Sequence, residues 1–592
     1  MNAFQRMKLF LKYERKNTIF AVLAVFIETI FELVIPMIMS YMIDKGVSVY
    51  VEASKNANSL AEVKDEAFNV ILIAAILIGI CALMSLICGW IYSHFASKAA
   101  SNFGTRIREA QFSAIQNYTF SNLDMFEPSS LVTRVINDSM VIQNTYQQTL
   151  RPLVRSPLML VLGMGFTFYY SWRLALIFVV LVPLLAFVII AVLRRVAPKY
   201  RILQKKLDGL NGKIEENLTA IRAIKSFVRE DNECLNFDTV NNSYKETVQH
   251  TYSLSNIILP FFQLMMYVST ILFLFLGGKM IISGNLSGGS LTGILSYVMQ
   301  TFNSLIMLSN VFVAIAKALA SIYRVNEVLN VSPDIISGEE MNKVEDATLE
   351  FNDVSFRYKA GNGEDVLSNI SFKLEEGKTL GILGATGSAK TTLVSLIPRL
   401  YDTTSGNITI GGKNIKTYDL DNLRENIAFV LQTSTLFEGS LIDNLKWANP
   451  NLNIEEINNA LKLSRVDEFI DRLPDGLDTY IGEGGNTLSG GQKQRVCLAR
   501  AILKNPRILI LDDATSAVDT RTEKTIRDNL MSLSCTKIII SQRILSVMEA
   551  DYVLILEGGK INEIGTPKSL LEHNLIYQDL YNRQLKGVRS DE

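Results

Sequence analysis

Cysteine, histidine and any excess of one charge are scarce in this 592-residue chain. The five cysteines (Cys81, Cys88, Cys234, Cys497, Cys535) are scattered without metal-ligand spacing, and the three histidines do not cluster with them. Neither a disulfide framework nor a zinc site is expected. Lys and Arg number 58 against 59 Asp and Glu, a net charge of -1, which excludes a nucleic-acid binder working through bulk positive charge. Charged residues make up only 20% and hydrophobic residues 48%, which excludes disorder. A cleavable signal peptide is not expected either, since the first apolar run is a full span without a small-residue cleavage site.

What is present is unevenly placed. Ala67–Ser97, Leu174–Leu193 and Thr251–Gly278 contain no Asp, Glu, Lys or Arg. Each is long enough for a hydrocarbon core of about 30 Å, which takes roughly 20 helical residues. Asn17–Ile43, Ser156–Trp172 and Met280–Ala316 qualify less cleanly, giving six spans. Arg6, Lys8, Lys12, Arg15 and Lys16 precede the first span, while the loop Asp44–Glu66 is acid-rich. The positive-inside rule keeps the basic flank in the cytoplasm. An even number of spans then returns the C-terminal half there. Phe103–Gln148 and Leu203–Thr247 are too long for turns and carry helical periodicity, so the spans are expected to continue into the cytoplasm, joined there by short crossing helices. Beyond residue 345, β-rich runs alternate with helical stretches, as in a buried and largely parallel sheet.

Chemistry-bearing motifs lie in that second half. After the apolar run ending at Leu383 comes Gly384-Ala385-Thr386-Gly387-Ser388-Ala389-Lys390-Thr391-Thr392, a strand, glycine-rich turn and helix start suited to phosphate. Its N–H groups would cradle a β-phosphate, Lys390 would reach the β/γ oxygens and Thr391 would hold Mg²⁺. Ile508–Leu511 is an apolar strand ending in Asp512 and Asp513, suited to a metal-bound water and to polarising an attacking water. Ser489, Gly490, Gly491 and Gln492 open a helix, an anion site at its positive end.

Together these motifs resemble the ABC transporters of exporter type, one membrane domain fused to one nucleotide-binding domain. The resemblance covers nearly the whole chain. It implies an α-helical membrane domain of six helices extended into the cytoplasm, plus an α/β P-loop NTPase domain. The domains would be 1–321 (helices near 17–43, 67–97, 139–171, 173–195, 251–283 and 291–317), a linker 322–345, and 346–592. It implies ATP and Mg²⁺, with Tyr358 stacking on adenine, Gln432 contacting Mg²⁺, and Asp519 on a loop crossing the dimer interface. Gly482–Gly485 resembles the exporter loop that senses the coupling helices, and weaker echoes of the family appear at Trp172–Leu174 and at Ile221–Phe227 in the second cytoplasmic segment.

Several positions depart from that family. Asp513 stands where the family has a glutamate base, Gln542 where it has a switch histidine, and Ala389 where it has glycine. Aspartate is a methylene short, and a glutamine is neutral. A methyl group at 389 either crowds the phosphates or is tolerated, the latter if its φ stays negative. The signature Ser489–Gln492 is intact. This asymmetry resembles heterodimeric exporters with one weak site, so the expected partner is a second half-transporter. The expected cargo is an amphipathic drug, lipid or peptide, moved across a bacterial plasma membrane with both termini cytoplasmic. The rivals are a homodimer with two slow sites and a nucleotide-gated channel or regulatory subunit. Glu28 and Glu32 share one helix face inside a span, as contacts for a cationic substrate or as a polar face bonded to neighbouring helices. Phe261, Phe262, Met265, Met266, Phe302 and Met307 either line an adaptable cavity or pack.

Overall fold

Two of the charge-free runs form single helices far longer than a bilayer requires, and the third lies mostly in the 25-residue helix Ile258–Ile282. A computed structural model describes residues 2–53, 60–340, 344–359 and 363–588. Residues 54–59 of the acidic loop and 341–343 of the expected linker lie outside them. Among the described residues six helical stretches are long and apolar enough to cross a membrane. The longest single helix, Leu60–Gln116, has 57 residues, or about 85 Å at 1.5 Å per residue. Trp172–Thr219 and Glu230–Ser255 likewise run well beyond the apolar stretches, joined by the short helix Ile221–Ser226.

Contacts divide the chain into two units, Met1–Ser113 with Val132–Asn330, and Ala114–Leu131 with Val331–Glu592. Two expectations are corrected here. The linker does not begin at 322, because the last long helix runs on to Asn330, with Val325 and Val328 fully buried on its apolar face. The segment 114–131 belongs to the second unit. Its short helix Phe120–Leu123 is closed by a Thr119–Asn122 capping box, Asp334 accepts from the Thr119 hydroxyl, and Asp124 accepts from the Tyr401 hydroxyl at 2.9 Å.

In the first unit, helices Arg15–Met42, Ser139–Tyr170 and Gly288–Asn330 pack together. Tyr297 stacks on Phe166 with centroids 5.3 Å apart and donates to the Leu33 carbonyl at 2.8 Å. Glu28 pairs with Arg151, and Glu32 with Arg155 at 2.5 Å. The i, i+4 spacing on one helix meets the same spacing on its neighbour, so both carboxylates are bonded within the bundle. Phe262 and Phe302 are buried edge-to-face at 5.7 Å, as packing residues.

The second unit is built from β1 (Leu349–Phe356), β2 (Leu367–Leu374), β3 (Thr379–Leu383), β4 (Ser405–Ile410), β5 (Lys413–Asn414), β6 (Ile427–Val430), β7 (Gly439–Ser440), β8 (Tyr480–Ile481), β9 (Ile508–Asp512), β10 (Thr536–Ile540), β11 (Tyr552–Glu557) and β12 (Lys560–Gly565). One six-stranded sheet has the order β12-β11-β3-β10-β9-β6, parallel from β11 to β6, with β12 antiparallel at its edge. Every residue of β3, β9 and β10 is buried, which is why these strands read as continuous apolar runs. A second, antiparallel sheet has the order β2-β1-β4-β5. Because β3, β10, β9 and β6 are parallel neighbours, the turns that follow them emerge at one edge, the usual ligand crevice of an open α/β sheet.

Candidate nucleotide site

Turns at that edge converge on a cavity of about 300 Å³ lined by Thr386, Gly387, Ser388, Ala389, Lys390, Thr391, Thr392, Gln432, Asp512, Asp513 and Gln542. The phosphate loop after β3 is held by its neighbours' backbone. A Cβ on Gly384 would come within 2.3 Å of the Leu556 carbonyl oxygen. Gly387 holds φ +83°. Ala389 holds φ +71°, in the left-handed region, so the condition of a negative φ under which its methyl group is tolerated is not met. Such a backbone costs an L-residue roughly 1–2 kcal/mol. The next residue, Lys390, is buried and donates from Nζ to the carbonyls of Gly384 and Ala385, each at 2.8 Å. Burial lowers its pKa, opposed by the charges of Asp512 and Asp513.

Thr391 donates its hydroxyl to Asp512 Oδ2 at 2.7 Å, across from the end of β9. Burial raises the Asp512 pKa; the Thr391 hydrogen bond opposes this. Asp513 sits at φ +48° and donates its N–H to the Ile540 carbonyl at 3.0 Å, which fixes its backbone beside the end of β10. Its pKa is also raised by burial, opposed by Arg543 and Lys390. The Thr391 hydroxyl, the Asp512 carboxylate and the Gln432 amide all line the cavity. That all-oxygen set, with room for phosphate oxygens, fits Mg²⁺.

Tyr358 lies outside the cavity lining. Its hydroxyl shares a 2.9 Å hydrogen bond with Thr392 Oγ1, and its ring stands edge-on to Phe356 and Tyr401, with centroids at 4.9 and 5.3 Å. The signature residues stand apart from the cavity as well. Ser489 caps the helix Gly490–Leu503 in a reciprocal box with Gln492. Gly491 allows a close approach, since a Cβ there would meet the Ala517 carbonyl oxygen at 2.7 Å. Asp519 caps the helix Thr520–Met531, accepting from the Thr522 N–H at 3.0 Å, and that backbone bond lowers its pKa.

Residues given no role by the motifs tie these parts together. Gln494 donates to Ser516 Oγ at 3.0 Å and accepts from the Ala517 N–H at 2.9 Å, linking the signature helix to the turn after β9. Buried Glu523 accepts from Arg543 at 2.7 Å and from Ser546 at 2.6 Å, while Arg543 also donates to the Ser516 carbonyl at 3.2 Å. Glu523 lies four residues after the cap Asp519, one helical turn on, and that spacing alone could have pointed inward.

Comparison with known proteins agrees with this architecture. Residues 18–305 match the ABC transporter transmembrane region, and residues 367–516 match the family described as ABC transporter. The chain is 34% identical to the ABC transporter ATP-binding protein YfiB of Bacillus subtilis, over 95% of this chain and 96% of the relative. It is 34% identical to an ATP-dependent lipid A-core flippase of Haemophilus influenzae, over 81% of this chain and 82% of that one. With ABC transporter B family member 1 of Dictyostelium discoideum it shares 31% identity over 96% of this chain and 61% of the relative. Six helices able to span a membrane, a phosphate loop at a parallel sheet edge and full-length kinship lead to one conclusion: the chain belongs to the ABC transporter family, as an exporter-type half-transporter that hydrolyses ATP.

Proposed function

We propose that this chain is one half of a heterodimeric exporter and that its own phosphate loop builds the slower of two ATP sites. The observation that carries this reading is that Asp513, at the position of the family's base, lines the same cavity as Gln542. Lys390 binds the β/γ oxygens, and the N–H groups from Gly384 to Thr392 surround them. Tyr358 stacks on adenine. Thr391, Gln432 and Asp512 would hold Mg²⁺, and the bound ion would neutralise charge on the phosphates. Asp513 polarises the water, and its carboxylate falls about 1 Å or more short of where a glutamate would reach. Gln542 donates to the γ-phosphate without a proton to exchange.

Ser489, Gly490, Gly491 and Gln492 are regular and complete the partner's site, where a glutamate and a histidine carry turnover. Closing the nucleotide domains turns the membrane cavity outward, and hydrolysis resets it. The cargo is amphipathic. Kinship to a relative named as a lipid A-core flippase supports a lipid-like molecule. The basic flank Arg6–Lys16 supports cytoplasmic termini in a bacterial plasma membrane.

The test is Asp513→Asn in the assembled transporter, with turnover measured at saturating ATP. A change within about threefold is expected. A loss approaching the 10²–10⁴-fold range of an essential general base contradicts the reading.

A further inference from the structure

The C-terminal helix Leu575–Val588 reaches back to the switch turn after β10. Tyr577 is fully buried in the same hydrophobic core as Ile544, Val547 and Leu570, with Leu580 and Tyr581 packed on that core. Positions 577, 580, 581 and 584 follow the i, i+3, i+4, i+7 spacing of one helix face. The fourth of them is a glutamine. Asn574 starts the helix by accepting from the N–H groups of Ile576 and Tyr577, each at 3.0 Å, so the register that delivers Gln584 is fixed. Gln584 Nε2 donates to the Gln542 carbonyl at 2.9 Å, and its Oε1 accepts from the Ile544 N–H at 2.8 Å. One side-chain amide therefore brackets the backbone on both sides of Arg543. The Arg543 side chain runs the other way, to Glu523 and the Ser516 carbonyl.

We propose that Gln584 is a positioning residue for the γ-phosphate contact of Gln542, through which the C-terminal helix sets how well this site tells ATP from ADP. The inference rests on the reading of Gln542 given above and goes beyond it. A glutamine has more rotatable bonds than a histidine and a broad terminal torsion, so its aim depends more on the backbone that presents it. Gln584 supplies that constraint with a donor and an acceptor at once, which is possible for an amide and not for a carboxylate or an aliphatic side chain.

The experiment uses the full chain in lipid nanodiscs, assembled with its partner half. An azido-ATP photolabel on this chain is competed with ATP and, separately, ADP. Gln584→Ala is expected to lower apparent ATP affinity about five- to tenfold, within the range of one typical lost hydrogen bond, with ADP affinity unchanged within about twofold. Gln584→Glu should behave like Gln584→Ala, because it keeps the acceptor for Ile544 and turns a carboxylate on the Gln542 carbonyl. Gln542→Ala should give the same loss, and the double substitution no more than either alone, since residues acting as one unit are non-additive. Equal losses for ATP and ADP in Gln584→Ala would mean a merely structural role and overturn the proposal. So would fully additive effects of the two substitutions. If Gln542→Ala leaves the ATP-to-ADP ratio intact, the reading of Gln542 itself fails and this inference falls with it.

Discussion

In the phosphate loop, Ala389 holds a left-handed backbone at φ +71°, where glycine would sit without strain. In the signature turn, Gly491 occupies a place where any Cβ would come within 2.7 Å of the Ala517 carbonyl, and glycine is what the sequence provides. The two regions belong to one domain and bear on different ATP molecules in the proposed dimer. Strain and substitution gather on the side that would serve this chain's own ATP, while the side offered to the partner fits its backbone. Backbone strain held at such a place needs support from its surroundings. Here the support is the parallel sheet edge, which holds the loop whether or not its residues are ideal for hydrolysis.

The comparison can be broken at several points. Lys390→Ala should have the largest effect, a roughly hundredfold loss of ATP affinity at this site, because it removes a charge-assisted contact. Equilibrium binding of a fluorescent nucleotide reads it out. Asp513→Glu with Gln542→His should raise turnover of this site by roughly tenfold. That gain is tempered because Asp513 holds φ +48°, a conformation that aspartate tolerates better than glutamate. Single-site turnover, with the partner's base removed, measures it.

Gly491→Ala should overpack the contact with Ala517 by about 1–3 kcal/mol and slow the partner's site, with photolabelling of this chain's own site unchanged. The pH profile should separate the sites further. Burial raises the Asp513 pKa, so hydrolysis that depends on its ionised form should fall, on acidification, at a higher pH than an ordinary carboxylate allows. The same sign means that the folded state holds this proton more tightly than the unfolded one. Its contribution to stability is therefore present at low pH and is lost as pH rises through the folded value. Asp513→Asn should remove that acid limb from the single-site profile. Smallest of all, Ala389→Gly should stabilise the domain by about 1 kcal/mol or less, since the relief of strain is partly offset by glycine's extra unfolded-state entropy. Denaturant midpoints would show it.

Much of this was legible because it is local. Gly384–Thr392, Asp512–Asp513 and Ser489–Gln492 are short strings whose roles follow from neighbours in sequence, and β3, β9 and β10 are apolar runs that read as buried strands. What was not legible joins distant residues. Glu28 and Glu32 stand out as carboxylates in a span, but their partners Arg151 and Arg155 lie 123 residues further on. The antiparallel sheet pairs β1 with both β2 and β4, and no local period announces such pairing. The reach of Gln584 to Gln542 spans 42 residues. The φ of +71° at Ala389 is a property of the folded loop, so the string alone leaves open whether the methyl group there meets a negative φ. The helix running to Asn330 was missed because its last turns are polar on one face and bury only a few valines on the other.

The most direct test compares ATPase activity of this chain purified alone in lipid nanodiscs with its activity after co-assembly with a half-transporter carrying glutamate and histidine at the base and switch positions. The account predicts a nearly inactive lone chain and turnover restored by the partner. Brisk hydrolysis by the lone chain as a homodimer would contradict it, and would make Asp513 a competent base.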